Sequence, residues 1–233
     1  MESRFLPLSG EDKRLLISED GKQVAGFILY PISENEAEFT PETQDIVKDE
    51  NDKNGPKISE NIICEMRNTL LEAFSAIKKE GYEKVEFTLE RSSPIYRFVL
   101  STEVVKIKRS EYFMKLVSLK DQQQDNVADG EKPEYKEQNR VTRVVSPDFK
   151  GKYENFLDGI YLYGVNVPVK YRRKGCATRR IKEIFYKNDK KPIYVHVSGE
   201  NVPARQLYLK LGFEDSEVYD YLVLAEDGEK CKQ

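Results

Sequence analysis

The chain has 233 residues, a formal net charge of −3 and a pI near 5.6, with 39% hydrophobic and 34% charged residues. This length suits one large domain or two small ones, each able to bury a core. The weakly acidic balance differs from that of general nucleic-acid binders, whose domains are usually basic. No apolar run approaches the roughly 20 residues that span a bilayer, and the first residues do not resemble a signal peptide. We therefore expect a cytoplasmic protein without nucleic-acid or membrane partners.

Three cysteines and one histidine limit the chemistry that the chain can carry. Cys64, Cys176 and Cys231 lack metal-ligand spacing, and an odd number does not suit a disulfide framework. His196 is the only histidine, so a zinc site would lack its usual ligands and a Ser-His-Asp or Cys-His mechanism would have to include it. We predict no metal site, and we expect His196 to be a core or surface residue.

The first half of the chain alternates strands and helices. The predicted elements in chain order are strands at 23–30 and 35–40, a helix at 58–79, a strand at 85–89, a short helix after Pro94, and one or two strands within 104–117. The long helix is the clearest element, because its apolar residues recur at three-and-four spacing and Ser59 is suited to cap its start.

The second half repeats that order after a polar stretch. Residues 119–140 have almost nothing to bury and are predicted to form a linker or long loop. The following elements are strands at 141–145 and 159–167, a helix at 176–187, a strand at 193–197, a helix at 202–211 and a strand at 218–224. The strand and helix around Pro94 align weakly with those around Pro203, which indicates an internal repeat; chance similarity of two strand-helix-strand units is the alternative.

A basic cluster surrounds the start of the predicted 176–187 helix. Its members are Arg172, Arg173, Lys174, Arg179, Arg180 and Lys182. A helix N-terminus carries partial positive charge and prefers acidic neighbours, so these cations are unfavourable unless an anion binds there. A strand, a glycine-containing turn and a helix start form an anion cradle from backbone N–H groups. We therefore predict a small, multiply charged anion as the ligand, with a merely solvated helix face as the alternative.

Two motifs resemble the GNAT (GCN5-related N-acetyltransferase) superfamily. The segment "VNVPVKYRRKGCA" resembles motif A, whose Arg/Gln-x-x-Gly-x-Gly/Ala pattern is met by Arg172, Gly175 and Ala177. The segment "NVPARQLYLKLGF" resembles motif B, with Asn201, Tyr208 and Gly212 at the expected spacing. The resemblance covers about residues 159–224, under a third of the chain.

The resemblance implies acetyl-CoA as co-substrate and direct attack of an amine on its thioester. It assigns the pyrophosphate to the turn and the pantetheine arm to the preceding strand edge, and places Asn201 and Tyr208 near the cofactor. The cofactor-binding residues implied are Val165, Asn166, Val167, Arg172, Arg173, Lys174, Gly175, Cys176, Ala177, Thr178, Asn201 and Tyr208. Tyr208 is the implied catalytic residue, as proton donor to the leaving thiolate.

Each assignment has a simpler structural alternative. Asn201 is also a good helix N-cap, and Tyr208 lies on an apolar helix face where a core tyrosine is common. Cys176 occupies a variable position of the motif and needs no chemical role. The functional alternative for His196 is that it lines the cleft that binds the acceptor. The general base is not evident from the sequence; Glu154, Asp158 and Glu200 lie near suitable elements.

The first half lacks the Arg-x-x-Gly-x-Ala pattern before its long helix, and Val99 aligns with Tyr208. We therefore predict one cofactor site. The resemblance implies an α/β (α+β) fold with a mixed, mainly antiparallel sheet flanked by helices. The internal repeat predicts two tandem GNAT-like units. The predicted boundaries are 1–118 for a degenerate unit, 119–140 for the linker and 141–233 for the acetyl-CoA-binding unit.

The predicted function is transfer of acetyl from acetyl-CoA to a primary amine. A polyamine, an amino sugar, an amino acid and a protein N-terminus all fit as acceptor, and the sequence does not indicate an oligomeric state. The main alternative is a non-catalytic acyl-CoA-binding or regulatory protein; a protein-interaction module that meets an acidic partner is a third.

Overall fold

The computed structural model of the protein describes residues 1–42, 60–120, 132–138 and 140–225. The elements before residue 120 are β1 (Glu2–Pro7), β2 (Lys13–Glu19), β3 (Lys22–Ser33), β4 (Glu36–Pro41), α1 (Glu60–Lys79), β5 (Lys84–Glu90), α2 (Tyr96–Ser101) and β6 (Val105–Leu116). The elements after it are β7 (Glu134–Gln138), β8 (Val141–Ser146), β9 (Phe149–Phe156), β10 (Gly159–Asn166), α3 (Cys176–Lys187), β11 (Ile193–Ser198), α4 (Val202–Leu211) and β12 (Glu214–Leu224). Both halves therefore run through four strands, a helix, a strand, a helix and a strand. A single 3₁₀ turn, Val169–Tyr171, precedes α3.

By packing, the chain divides into two compact units whose boundaries fall inside β6 and β12. Unit 1 comprises Met1–Ser110 and Tyr219–Gln233, and unit 2 comprises Glu111–Val218. Each unit is thus completed by a strand segment from the other half of the sequence. The predicted sequence boundaries, 1–118 and 141–233 around a 119–140 linker, stay a prediction.

Unit 1 contains an antiparallel meander of β1 to β4, followed by β5 parallel to β4. The C-terminal part of β12 pairs antiparallel with β5, from Tyr219↔Glu90 to Leu222↔Phe87. Helix α1 buries one face, including Leu70, Phe74 and Ile77, because its apolar residues recur at helical spacing. The Phe39 ring contacts those of Phe74 and Phe87, with centroids 4.9 and 4.8 Å apart, so the core lies between α1 and the sheet.

Unit 2 repeats this arrangement with β7 to β10 as the meander. Strand β11 is parallel to β10 and antiparallel to the C-terminal part of β6. Alternate residues of the strands and the inner faces of α3 and α4 form its core: Met114, Leu116, Val144, Phe149, Ile160, Leu162, Ile181, Ile184, Phe185, Ile193, Val195, Val197, Tyr208, Leu211 and Phe213. Ile181, Ile184 and Phe185 are the residues by which α3 packs into this core.

Most predicted elements are confirmed, and four strands were missed. Helix α3 has the predicted bounds, and β6 is one strand. Strands β1, β2, β7 and β9 were not predicted. Strand β7 lies within the predicted linker and exposes most of its side chains, so it has no buried alternation to reveal it. The proposed Ser59 cap and residues 121–131 and 139 of the linker lie outside the described residues.

Among the described helices, none is long and apolar enough to cross a membrane.

Candidate active site

Helix α3 begins at a glycine in a left-handed turn. Gly175 is its N-cap with φ 75°, and it provides no side-chain hydrogen bond to the first turn. Arg173, two residues earlier, also has a positive φ of 58°. The first N–H groups of a helix have no intrahelical acceptor, and a Cβ added at Gly175 would meet nothing within 4 Å. Open space therefore lies next to Gly175 at the predicted anion cradle, whose donors are the backbone N–H groups of residues 175–178.

The basic cluster divides into two groups with different environments. Arg180 is only 1% exposed, and its guanidinium donates to Asp148 Oδ1 at 3.0 Å and to Glu183 Oε2 at 2.9 Å. Arg179 also donates to Asp148. Arg173 and Lys174 are exposed. The two helical arginines are thus compensated by two carboxylates, whereas Arg173 and Lys174 before the helix are exposed cations.

Asp148 connects the β8–β9 turn to the first turns of α3. Burial would raise the pKa of this carboxyl, but hydrogen bonds from Ser146 and Arg180 outweigh it and lower the pKa to about 2. The Cys176 thiol, buried at the start of α3, also faces this carboxylate; burial and Asp148 together raise the pKa of the thiol. Cys176 therefore stays a protonated thiol at neutral pH, in keeping with a structural position.

Strands β10 and β11 separate shortly after they meet. Within the described residues they pair only at Ile160↔Ile193 and Tyr161↔Tyr194, although both strands continue further. Gly159 makes the close approach possible, because a Cβ there would lie 2.0 Å from the Pro192 carbonyl oxygen. Beyond the pairs, the two strands leave a wedge between them.

The β10 side of this wedge contains an irregularity. Its register with β9 shifts between Tyr163 and Asn166, and Gly164 has a positive φ of 61°. Such bulges re-aim backbone groups next to active sites. The signal available in the sequence was the glycine inside a strand pattern, which sequence reasoning did not use.

The predicted strand-edge residues lie at the end of β10. Val165 and Val167 pack partly against the unit 2 core, and Asn166 is exposed. Arg172 Nε donates to the Val167 carbonyl oxygen at 3.0 Å, so this arginine ties the strand end to the turn. The strand ends at Asn166, one residue earlier than predicted.

Helix α4 has well-defined caps. The Asn201 side chain accepts a hydrogen bond from the Ala204 N–H at 3.3 Å. Asn201 is therefore the N-cap of α4, which was the structural alternative for this residue. Gly212 ends the helix with φ 108°. A Cβ at Gly212 would lie 2.8 Å from the Ser118 carbonyl oxygen, so this glycine also permits a close backbone approach.

Tyr208 lies on the inner face of α4 and is 6% exposed. Its ring contacts Phe213, with centroids 5.0 Å apart. Burial, and secondarily the nearby Tyr161 hydroxyl, raise the pKa of Tyr208 to about 12. In the described part of the chain no hydrogen bond engages its hydroxyl. Tyr208 is therefore a fully protonated phenol at neutral pH.

A layer of rings covers the sheet surface beside the wedge, on strands β6, β9, β10 and β11. We define this aromatic face by Phe113, Phe156, Tyr161, Tyr163, Tyr194 and His196, whose neighbouring ring centroids lie 4.7 to 5.9 Å apart. The sequence predicted neither this face nor the Asp148 network, since both depend on strand register between distant residues.

The C-terminal part of the chain matches a known family by sequence. Residues 156–222 match the model of the family described as "FR47-like protein". This segment includes β10, α3, β11 and α4, and with them both predicted motifs. Among curated proteins, none matches the chain.

Solved structures resemble the chain over nearly its full length at low sequence identity. A tandem GNAT protein from the clavulanic acid biosynthesis pathway, solved without AcCoA, is 11% identical with a TM-score of 0.54, covering 94% of this chain and 85% of that one. A GCN5-related N-acetyltransferase from Sphaerobacter thermophilus is 10% identical with a TM-score of 0.52, covering 94% and 82%. A GNAT-family acetyltransferase from Colwellia psychrerythraea is 10% identical with a TM-score of 0.50, covering 91% and 84%. The predicted fold class is thereby confirmed.

Proposed function

We propose that this chain, which carries the GNAT fold, is an N-acetyltransferase that moves acetyl from acetyl-CoA to a primary amine at a single site in unit 2. The fold and the FR47-like segment support an acyl-CoA-dependent acetyltransferase in general. The observation that carries the finer proposal is the coincidence of an open, glycine-capped helix start with a wedge between β10 and β11.

The turn before α3 fits the diphosphate part of CoA. Its left-handed glycine leaves open space above the backbone donors, which a side chain at that position would enter. Arg179 and Arg180 are paired with Asp148 and Glu183, so they contribute little net charge. Arg173 and Lys174 are then the cations that balance the phosphates, together with the N–H groups of residues 175–178.

The wedge between β10 and β11 fits the pantetheine arm of CoA, which is an extended chain containing amides. A strand edge left without a neighbour offers N–H and C=O groups to any chain that runs alongside it. The bulge around Gly164 turns such groups of β10 towards the gap. We assign Val165, Asn166 and Val167 to this role. Asn201, whose carbonyl oxygen caps α4, keeps its amide N–H₂ for a ligand.

Acetyl-CoA supplies an acyl group activated as a thioester, and the protein has to stabilise the departing thiolate. An ordinary thiol has a pKa of about 8.5, whereas burial raises the pKa of Tyr208 to about 12. Complete proton transfer from Tyr208 to a thiolate would therefore be uphill by roughly 5 kcal/mol. We assign Tyr208 as a hydrogen-bond donor to the sulfur, with the final proton coming from water.

The first half is proposed to be a degenerate copy of the same unit. Its element order is the same, and β4 is parallel to β5 as β10 is to β11. Val99, which is buried on α2, aligns with Tyr208 in the sequence repeat. An aliphatic side chain has no hydroxyl to offer a thiolate, which supports a single catalytic site.

Thiol release from acetyl-CoA in the presence of primary amines tests the proposal directly. The assay follows free CoA thiol with polyamine, amino-sugar, amino-acid and peptide acceptors, beside equilibrium binding of acetyl-CoA to the same protein. We expect micromolar binding and amine-dependent thiol release. Binding without release for any amine would instead support the non-catalytic acyl-CoA-binding alternative.

A further inference from the structure

We propose that His196 accepts the proton of the acceptor amine, and that the aromatic face around it binds this acceptor as a primary amine on an apolar carbon skeleton. The inference rests on the proposed acetyltransferase function and names the base and the acceptor class for that site.

The first observation is the position of His196 along β11. Tyr194 forms the last pair between β10 and β11, and His196 is the next residue on the same face, just beyond the point of separation. It is exposed, while Val195 and Val197 on either side are buried in the core. The imidazole therefore lies on the aromatic face where the wedge opens.

The second observation links His196 to the proposed thiolate donor. The Tyr161 hydroxyl lies 3.4 Å from His196 Nδ1, and Tyr161 is also close enough to Tyr208 to raise its pKa. Tyr161 is thus a neighbour both of the imidazole and of the phenol assigned to the sulfur. A base and a donor on the two sides of the reacting carbonyl are what aminolysis of a thioester requires.

The third observation is the chemistry of the surrounding surface. The Phe113 ring contacts His196 edge-to-face at 4.7 Å between centroids, and the Tyr161 and Tyr163 rings stack at 5.5 Å. Aromatic faces attract a cation and cover apolar carbon. Glu111 lies two residues before Phe113 on β6, and Glu154 pairs with Tyr161 across β9 and β10. An ammonium group on an apolar skeleton matches rings with carboxylates beside them.

The charge state of the imidazole suits a base. Partial desolvation by the surrounding rings lowers the pKa of His196, and the Glu111 carboxylate opposes this only in part, so the ring is neutral at pH 7. The other ionisable groups on this face and around it are Lys115, Lys152, Glu154, Asp158, Tyr161, Tyr163, Tyr194 and Tyr208. Lys115 pairs with Asp158 at 3.3 Å, and Lys152 lies 6.0 Å from the Tyr163 ring centre.

The carboxylates that the sequence offered as bases are less suited to the role. Asp158 accepts hydrogen bonds from Tyr194 and Lys115, which lower its pKa. Glu200 is exposed in the turn between β11 and α4. Glu154 lies on the aromatic face, opposite Tyr161, where its charge can hold the incoming ammonium.

The proton balance of the step is complete without a further reactant. With Nδ1–H donating to the Tyr161 oxygen, Nε2 carries the lone pair that takes a proton from the ammonium. The amine nitrogen then forms a bond to the thioester carbonyl carbon as the C–S bond breaks, and it loses its second proton to solvent water as the neutral amide forms. The thiolate leaves against the Tyr208 hydroxyl and takes a proton from water, and the imidazolium returns its proton to solvent.

Since His196 is the only histidine of the chain, histidine-labelled protein gives one imidazole NMR signal. The experiment uses the full chain with CoA bound and phenethylamine as the probe, compared with spermidine. We expect phenethylamine to shift the signal, spermidine to shift it much less, and the pH titration to give a pKa below 6.5.

Kinetics of His196→Gln provide the second readout. Glutamine keeps a hydrogen-bonding group beside Tyr161 but cannot act as a base. We expect kcat with phenethylamine to fall about 100-fold, KM for acetyl-CoA to stay within about twofold, and the acidic limb of the pH profile to disappear. Glu214→Gln, at an exposed position at the start of β12, removes an ionisable group outside the face and should behave as the parent.

The outcomes separate the two levels of the proposal. If acetyl-CoA binds but phenethylamine leaves the imidazole signal unchanged, or His196→Gln keeps the parent's pH profile and kcat, this inference is overturned alone. If the parent does not bind acetyl-CoA, the proposed function fails and this inference fails with it.

Discussion

Replacement of Asp148 by asparagine should weaken unit 2 by an amount that depends on pH. The ordinary pKa of this carboxyl is 3.8 and its value here is about 2. Because the folded value is depressed, the charged carboxylate stabilises the protein above pH 3.8, and this stabilisation is lost as pH falls towards 2. At 1.36 kcal/mol per pH unit of difference, the gap corresponds to roughly 2 kcal/mol. Arg180, 1% exposed, would also lose its buried counterion, which can raise the cost to about 3–5 kcal/mol.

Urea unfolding of the parent and of Asp148→Asn measures this quantity. The difference in unfolding free energy should be at least about 2 kcal/mol at pH 7. It should shrink towards zero as the pH falls through about 2, because protonation of the parent's own carboxyl then removes the same counterion of Arg180 in both proteins. Taking the difference between the two proteins cancels the titration of all other carboxyls. Glu183→Gln, which removes a more exposed partner of Arg180, serves as the control and should cost less. A parent-like, pH-independent stability for Asp148→Asn would refute the reasoning.

Three further changes test other parts of the molecule. Tyr208→Phe should bind acetyl-CoA within about twofold of the parent and lower kcat by about 10- to 100-fold, the worth of one hydrogen bond to a charged group; unchanged turnover would remove the donor role. Gly159→Ala places a methyl group 2.0 Å from the Pro192 carbonyl oxygen and should lower stability by about 2 kcal/mol or more in thermal unfolding. Asp220→Ala removes the buried carboxylate that Arg91 contacts at 2.7 and 2.9 Å and should destabilise unit 1 by about 1.5–3 kcal/mol in urea; a neutral effect would mean that β12 does not hold unit 1 together.

The sequence predicted best those elements whose buried face shows as a periodic apolar pattern within a short stretch of residues. Helix α3 has the predicted bounds because its apolar residues repeat at helical spacing and a glycine marks its start. Strand β7 could not be predicted, since an exposed edge strand resembles a linker in composition. The exchange of β6 and β12 segments between the units was also invisible, because sequence order alone does not tell which sheet a terminal strand joins.

The candidate site divides in the same way. Motif spacing located Gly175, Asn201 and Tyr208 from local signals. The separation of β10 and β11 depends on pairing between strands about 30 residues apart, and the aromatic face also requires the more distant pairing of β6 with β11. No local pattern encodes either register. Asp148 is a similar case. The sequence placed Arg179 and Arg180 in a basic cluster predicted to bind an anion, whereas the structure pairs both arginines with this carboxylate.

Calorimetry with acetyl-CoA on the parent and Gly175→Glu tests the central claim most directly. Gly21→Glu is a matched control, since Gly21 has φ 74° against 75° for Gly175 and a Cβ would meet nothing within 4 Å at either position. The backbone strain and added charge are thus alike, but Gly21 lies in the β2–β3 turn of unit 1. The proposed site predicts micromolar binding by the parent and by Gly21→Glu, and none by Gly175→Glu. Equal affinity of all three proteins would contradict a phosphate cradle at the start of α3.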